Sequence, residues 1–220
     1  MLSTTNLLTL LLLMGLCLQA STAASAQAAA ADANENVVAL KWLGTAGWEI
    51  QIGQTVILID PFLTRGEANL DAEWKTDEAA VLNAIKRADY IFAGHSHADH
   101  IADIPFIAKR FGSKIIGSRT TTNIALTAGV DKSQLVTISG GEKLEFKEFP
   151  VQAIESEHGA LIRRGRKQRP KFEEITKSWS GPIMGNAFVE GGSYLICSSS
   201  AIIACCTRVR AGLSKTIFLG

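Results

Sequence analysis

The chain has 220 residues, of which 47% are hydrophobic and 20% are charged, with 22 Lys and Arg against 21 Asp and Glu. This balance is typical of one ordinary globular domain and excludes a mainly disordered chain. A net charge of +1 provides no chain-wide field for nucleic acid or an anionic membrane, so we expect neither as a partner. Four cysteines, three of them after residue 196, are too few and too unevenly placed for a disulfide scaffold.

The N-terminus predicts a secretory signal. Residues 7–18 form an apolar run, and Ala24, Ser25 and Ala26 in the small-residue segment that follows match the A-x-A cleavage pattern. We expect a signal peptide over 1–26, a linker over 27–36 and a periplasmic or secreted protein without membrane attachment after cleavage. An uncleaved anchor is the alternative, although roughly 12 apolar residues fall short of the ~20 needed to cross a bilayer.

The remaining chain is rich in strands at first and then alternates strands with helices. Three short β-type runs, separated by glycine-containing turns, predict adjacent antiparallel strands at 37–42, 48–52 and 55–59. Helical patterns cover 77–88, 101–111 and 121–128. Further strands are predicted at 90–93, 114–116, 136–139, 144–149 and 151–155. This order predicts an α/β fold with mixed β-sheets and helices on their outer faces.

A cluster of metal-binding side chains directly follows the predicted strand 90–93. The segment reads His95-Ser96-His97-Ala98-Asp99-His100 and holds three of the four histidines of the chain. In extended backbone His95 and His97 project to the same side and can bind one metal, while a turn brings Asp99 and His100 towards a second. These ligands suit Zn²⁺, and Fe or Mn are the other candidates. A histidine-rich polar loop is the competing interpretation.

The HxHxDH motif after a short strand, preceded by Asp60 at the end of an earlier apolar strand, resembles the metallo-β-lactamase superfamily. The segment 43–47 (LGTAG) resembles the ascorbate-6-phosphate lactonase-like branch of its hydrolases. The resemblance covers about 37–193 and implies an αββα sandwich with the metal site at one edge of the sheets. It also implies that Asp60 holds the histidine loop in place. The dipeptide Asp60-Pro61 is alternatively an ordinary strand-ending turn.

The same resemblance assigns the ligands. It places His95 and His97 on the first metal and Asp99 and His100 on the second, and His158 resembles the family's third histidine at a strand end. A lone histidine in a turn is otherwise usually a surface residue. A three-histidine site leaves an open position for water, whose pKa a bound zinc lowers to about 7. Asp99 would orient the resulting hydroxide or take its proton, which predicts a zinc-dependent hydrolase of a small ester, lactone or phosphoester, holding one or two ions.

The sequence departs from the family pattern towards its end. Members carry a further bridging Asp and a last His, whereas no Asp, Glu or His follows Ser193 in this chain. We therefore expect an incomplete second half of the sandwich and an atypical tail over 194–220, from truncation or a frame shift. An authentic short tail that packs as one strand is the alternative. The incomplete ligand set leaves open a non-catalytic metal-binding remnant, and iron in some relatives leaves open a redox enzyme. Exposed apolar surface leaves open a homo-oligomer.

Substrate signals are few. The basic run at 163–171 (RRGRKQRPK) either attracts an anionic small-molecule substrate or forms a solvated surface loop. Trp42 and Trp48, at strand positions, are expected in the core.

Overall fold

The computed structural model describes residues 38–66, 69–146, 149–159, 161–163, 166–168 and 173–197, with the backbone alone for 161–163 and 166–168. The chain divides into two compact units, 1–38 and 39–220, and the fold below is that of the second. The predicted leader and linker and residues 198–220 lie outside the described residues. Among the described helices, none is long and apolar enough to cross a membrane.

A six-stranded mixed sheet forms the centre of the fold, as the alternation of strands and helices predicted. Its strands follow one another in chain order, from edge to edge. They are β1 (Val38–Gly44), β2 (Gly47–Ile52), β3 (Thr55–Ile59), β4 (Tyr90–Phe92), β5 (Lys114–Gly117) and β6 (Leu135–Thr137). Strands β2 and β3 pair antiparallel, and β3 to β6 pair parallel. All five residues of β3 are buried, as expected for a central strand covered on both faces.

Within the described part of the chain, four α-helices cover one face of this sheet. They are α1 (Glu78–Ala84), α2 (Ala98–Ile101), α3 (Ile104–Phe111) and α4 (Arg119–Thr127). Each contributes buried residues to one apolar core, among them Val81, Ile101, Ile107 and Ile124. Asp77, the first residue of the predicted helical pattern, caps α1, because its carboxylate accepts a hydrogen bond from the backbone N–H of Ala80 at 2.9 Å.

The prediction of one continuous helix over 101–111 is wrong. The structure has two helices here, and the second begins at Ile104 with Pro105 in its first turn. Proline suits that position because it has no N–H to donate to the preceding turn. Asp103, at the break, turns its carboxylate to the loop after β3 and accepts hydrogen bonds from the backbone N–H groups of Leu63 and Thr64, at 2.6 and 2.8 Å.

A smaller antiparallel sheet packs on the other face of the six-stranded sheet. It contains β7 (Lys143–Glu145), β8 (Pro150–Ser156) and β11 (Ser193–Cys197), with β8 in the middle. Between them in sequence, β9 (Leu161–Arg163) and β10 (Arg166–Gln168) form a hairpin. The two sheets share a second apolar core with Phe92, Ile116, Val151 and Ile196 at its centre. The described residues thus form a helix layer and two stacked sheets.

Trp42 is a correction to the sequence analysis. Its side chain is 63% exposed, whereas Trp48 packs against the core between the sheets as expected. Leu43 of β1 is buried on the helix side, so the alternation of a strand turns Trp42 to the opposite face. Val38 and Leu40 share that face and are 36% and 40% exposed. Strand β1 lies at the edge of the six-stranded sheet.

Candidate metal centre

The predicted ligands gather at the carboxyl edge of the parallel strands. Asp60 follows β3 directly, and Gly94 to His97 form the loop between β4 and α2. Since β3 and β4 pair parallel, both strands end at the same edge of the sheet. His97 is the residue before α2 and has extended backbone, and the first turn of that helix then carries Asp99 and His100 back towards the loop.

The five predicted ligands form two overlapping groups. The ligand atoms of His95, His97 and His158 lie within 4.8 Å of one another, and so do those of His95, Asp99 and His100. His95 therefore belongs to both groups, whereas the sequence analysis placed it in the first alone. His158 comes from the segment after β8 and brings its ring to within 4.7 Å of the His95 ring, centre to centre.

Hydrogen-bond partners fix which ring nitrogens face the site. Nδ1 of His158 lies 2.8 Å from the carbonyl oxygen of Gly159, so this nitrogen carries the proton and Nε2 keeps a free lone pair. Nδ1 of His100 lies 2.8 Å from Oδ2 of Asp60, so this nitrogen carries a proton and Nε2 is the ring nitrogen that faces the site. That Nε2 is 3.7 Å from the carboxylate of Asp99, whose side chain is 52% exposed.

The pair His95 and His97 shows the strongest sign of a cation site. Nε2 of His95 and Nδ1 of His97 lie 3.0 Å apart, a hydrogen bond between the two rings without an ion, and this distance is close to the roughly 3.3 Å that separates two ligands on a tetrahedral zinc. Nδ1 of His95 is buried and has no hydrogen-bond partner among the described residues. Facing nitrogens, a buried imidazole and neighbouring carboxylates are donors that fit a divalent ion such as Zn²⁺.

Burial prepares these two histidines to bind metal. Burial lowers the pKa of His95 far below its ordinary value of 6.5, and the nearby His100, His97 and His158 lower it further. Burial, followed by His158, lowers the pKa of His97 to about 4, against an opposing effect of Asp99. Both rings are therefore neutral near pH 7. A metal ligand must be neutral imidazole, so an incoming ion displaces no proton from a charged ring.

His100 has the opposite electrostatic environment. Burial acts to lower the pKa of His100, but the carboxylates of Asp60 and Asp99 outweigh it and raise this pKa above 6.5. Asp60 is fully buried and also accepts a hydrogen bond from the backbone N–H of Gly94 at 2.7 Å. One carboxylate thus holds both the histidine loop and the His100 ring, which is the contact that the resemblance implied for Asp60.

Asp60 has a positive φ of 43°, a backbone conformation that Asp adopts more readily than most residues. The chain after it is held by Asp103, which accepts hydrogen bonds from Leu63, Thr64 and the Thr64 hydroxyl. Asp103 is fully buried and was not among the predicted site residues. Its position three residues after His100 and directly before a proline-containing helix start was the available signal.

The basic run at 163–171 and the tail after 197 give no side-chain contacts, because these side chains lie outside the described residues. Their predicted roles stay predictions.

Comparison with known proteins gives a family match. The family model for a β-lactamase superfamily domain matches residues 39–176. A UPF0173 metal-dependent hydrolase from Polynucleobacter asymbioticus is 32% identical over 154 residues, which cover 69% of this chain and 52% of that protein. Another from Thermococcus onnurineus is 41% identical over 87 residues, which cover 40% of this chain and 34% of that protein. The chain spans about half or less of the length of these relatives.

Among solved structures, the metallo hydrolase Igni18 from Ignicoccus hospitalis matches with 18% identity and a TM-score of 0.45. The match covers 73% of this chain and 56% of that one.

Proposed function

We propose, since the chain belongs to the family of β-lactamase superfamily domains, that it is a metal-dependent hydrolase of a small ester, lactone or phosphoester. The observation that carries this proposal is the group of His95, His97 and His158, whose ligand atoms lie within 4.8 Å of one another. Zn²⁺ is the proposed ion, because three imidazoles are the donor set of many catalytic zinc sites, and Fe or Mn are the alternatives.

A metal ion held there supplies Lewis-acid activation of water and of the scissile carbonyl or phosphoryl group. The protein's own part begins with His95 and His97, whose neutral rings are directed at one point, so that ion binding needs only a shift of the shared proton to the other nitrogen of its ring. Asp60 keeps the proton of His100 on Nδ1, so that Nε2 faces the site. These residues fix the donors before a substrate arrives, which avoids reorganisation during the reaction.

Asp99 is the proposed proton acceptor. Its carboxylate is 52% exposed, so water and substrate can reach it, and it lies 3.7 Å from Nε2 of His100. A carboxylate beside the reacting water can orient that water and accept its proton, and such general-base assistance is worth about 10²-fold to 10⁴-fold in rate. Asp99 therefore has two proposed roles, as a metal ligand and as the base.

The substrate proposal rests on sequence. The LGTAG segment favours a lactone, as in the ascorbate-6-phosphate lactonase-like branch, and the basic run at 163–171 favours an anionic substrate. The apolar run at 7–18 with its A-x-A site supports export, and hence a substrate outside the cytoplasm.

Hydrolysis assays with Zn²⁺ test the proposal. The full chain is incubated with Zn²⁺ and a panel of chromogenic lactones, carboxyl esters and phosphodiesters. Turnover of at least one substrate is expected, with a loss of at least about 10²-fold in Asp99→Asn. Asp71→Asn is the matched control, because Asp71 is an exposed Asp outside both ligand groups. Turnover that is equal in the two variants would remove Asp99 from the mechanism.

A metal-binding remnant without turnover is the second candidate. The observation in its favour is that the His95, Asp99 and His100 group has three protein donors, one of them exposed. For such a remnant we expect Zn²⁺ binding that is lost when His97 or His158 is replaced, and no hydrolysis of any substrate in the panel. Turnover that Asp99→Asn abolishes would rule it out.

A further inference from the structure

We propose that a buried ring of three hydroxyl groups, on Ser96, Ser118 and Thr121, positions the metal-binding loop and sets the separation of His95 and His97. The inference rests on the proposed function, because the loop it concerns carries the proposed ligands. It adds positioning residues that lie outside both ligand groups.

The three hydroxyls lie within hydrogen-bond distance of one another. Oγ of Ser96 is 3.0 Å from Oγ of Ser118 and 2.8 Å from Oγ1 of Thr121, and the last two are 3.2 Å apart. The exposed fractions of Ser96, Ser118 and Thr121 are 0%, 1% and 2%. A hydroxyl buried to this degree is costly unless it is hydrogen-bonded, so the ring is a strong constraint on the side chains that form it.

The ring satisfies its own hydrogen bonds. Each hydroxyl has one proton to donate and two lone pairs, so three hydroxyls can donate in one direction around the ring. Oγ of Ser118 has a lone pair left and accepts a hydrogen bond from the backbone N–H of Thr121 at 3.1 Å, which caps the start of α4. Removal of one hydroxyl leaves a buried donor and a buried acceptor without a partner.

The ring acts on the ligands through Ser96, which stands between them in the chain. The Ser96 hydroxyl is buried against Ser118 and Thr121, whereas nitrogens of the flanking rings of His95 and His97 face each other in the site, so the side chain between the two ligands is turned to the protein interior. The backbone of the loop is held as well. The N–H of Ser96 donates to the carbonyl of Glu190 at 2.9 Å, and the carbonyl of Gly94 accepts from the N–H of Tyr194 at 2.7 Å. These two hydrogen bonds fix the position of the loop backbone, and the ring of hydroxyls fixes the direction of the side chain between the two ligands.

Gly117 gives independent support for the close contact between α4 and this loop. A Cβ at Gly117 would lie 2.9 Å from Cγ2 of Thr121 and 3.2 Å from Cβ of Ala93, the residue after β4. Glycine at the end of β5 thus leaves the space in which Thr121 reaches the end of β4. The close contact between α4 and the end of β4, which the ring of hydroxyls requires, therefore also depends on the glycine at position 117.

A purely structural role is the competing explanation, since Ser118 caps a helix. The variants Thr121→Val and Thr122→Val distinguish the positioning role from the purely structural one. Both remove a hydroxyl from α4 and keep the shape of the side chain. The Thr122 hydroxyl, 4% exposed as a residue, bonds to Arg119 and Thr137 instead of the loop, at 3.1 Å each. Both variants should lower the unfolding temperature, whereas Thr121→Val alone should disturb the ligands.

The first measurement is Zn²⁺ affinity on the full chain, by competition with a chromophoric chelator. We expect the Kd to rise about 10-fold in Thr121→Val and in Ser96→Ala and to stay within about 2-fold in Thr122→Val. Thr121→Ser, which keeps the hydroxyl, should retain the unmodified affinity. Equal Kd values in Thr121→Val and Thr122→Val would overturn the proposal.

The second measurement needs no metal and separates this proposal from the proposed function. Long-range ¹H–¹⁵N spectra of the histidine rings in the metal-free chain report the surroundings of His95 and His97. Ser96→Ala and Thr121→Val should shift these signals, and Thr122→Val should leave them in place. Absence of Zn²⁺ binding in the unmodified chain would refute the proposed function, while unshifted ring signals in Ser96→Ala would refute the positioning role.

Discussion

Asp60→Asn is the perturbation whose effect can be worked out furthest. Asn has the shape of Asp and also tolerates the positive φ of 43°, so the backbone stays in place. Its carbonyl oxygen can still accept from the N–H of Gly94, which is 2.7 Å from Oδ1 of Asp60. The amide nitrogen, however, replaces Oδ2, which lies 2.8 Å from Nδ1 of His100. Two donors then face each other unless His100 moves its proton to Nε2.

The expected magnitude follows from the contact that is lost. A hydrogen bond to a charged group contributes about 1.5–3 kcal/mol, so Asp60→Asn should lower the free energy of unfolding by about that amount. A neutral His100 with its proton on Nε2 must move that proton before this nitrogen can bind an ion, so Zn²⁺ affinity should fall about 10-fold to 100-fold. Asp60→Ala should lower the free energy of unfolding further, because the buried N–H of Gly94 also loses its acceptor.

Urea unfolding of the metal-free chain and chelator competition measure the two effects, and ¹⁵N shifts of the His100 ring identify its protonated nitrogen. Asp77→Asn is the control. Asp77 is an exposed helix cap, and Asn caps as well as Asp does, so its effect should stay within about 0.5 kcal/mol. The reasoning fails if Asp60→Asn unfolds within about 0.5 kcal/mol of the unmodified chain and binds Zn²⁺ equally well.

Four further outcomes are expected. The fold lowers the pKa of His97 from 6.5 to about 4. Between these two pH values His97 is protonated in the unfolded chain and neutral in the folded chain, so the metal-free protein should lose stability as the pH falls from about 6.5 to 4. Thermal unfolding at several pH values should show a smaller loss in His97→Gln. Asp103→Ala should lower the urea-unfolding free energy by about 3 kcal/mol or more, because two backbone N–H groups and one hydroxyl lose their acceptor, and an effect below about 1 kcal/mol would contradict this. Gly117→Ala should lower the free energy of unfolding by about 1–3 kcal/mol, because the added methyl group would press against Thr121. An unchanged urea midpoint would show that Thr121 moves aside without loss of stability. Trp42→Thr should change the free energy of unfolding by no more than about 0.5 kcal/mol, because Trp42 is 63% exposed. A larger loss of stability in urea unfolding would place Trp42 in an interface.

The local parts of the site were predictable because they depend on short-range geometry. The HxHxDH segment follows a strand, and the alternation of extended backbone predicts His95 and His97 on one side, where their rings do lie 4.7 Å apart, centre to centre. The helix cap at Asp77 and the glycine after Phe111 likewise act within a few residues, and Gly112 does end α3 with a φ of 74°.

The remaining features depend on contacts between distant segments. The break before Ile104 arises because the Asp103 carboxylate binds the loop about 40 residues earlier, which no helical pattern reveals. Trp42 lies on the edge strand of the larger sheet and is exposed, whereas hydrophobicity alone predicts that it is buried. Ser96 reads as a spacer in the motif, and its role depends on Ser118 and Thr121 after the next strand.

Zinc titration of the full, metal-free chain tests the central claim most directly. The account predicts at least one tightly bound Zn²⁺ per chain, with the Kd raised at least about 100-fold in both His97→Ala and His158→Ala, because either change removes one of three imidazole donors. Asp71→Ala, a change at an exposed residue outside both ligand groups, should leave the Kd unaltered. Zinc binding that is equally tight in His158→Ala would contradict the three-histidine centre.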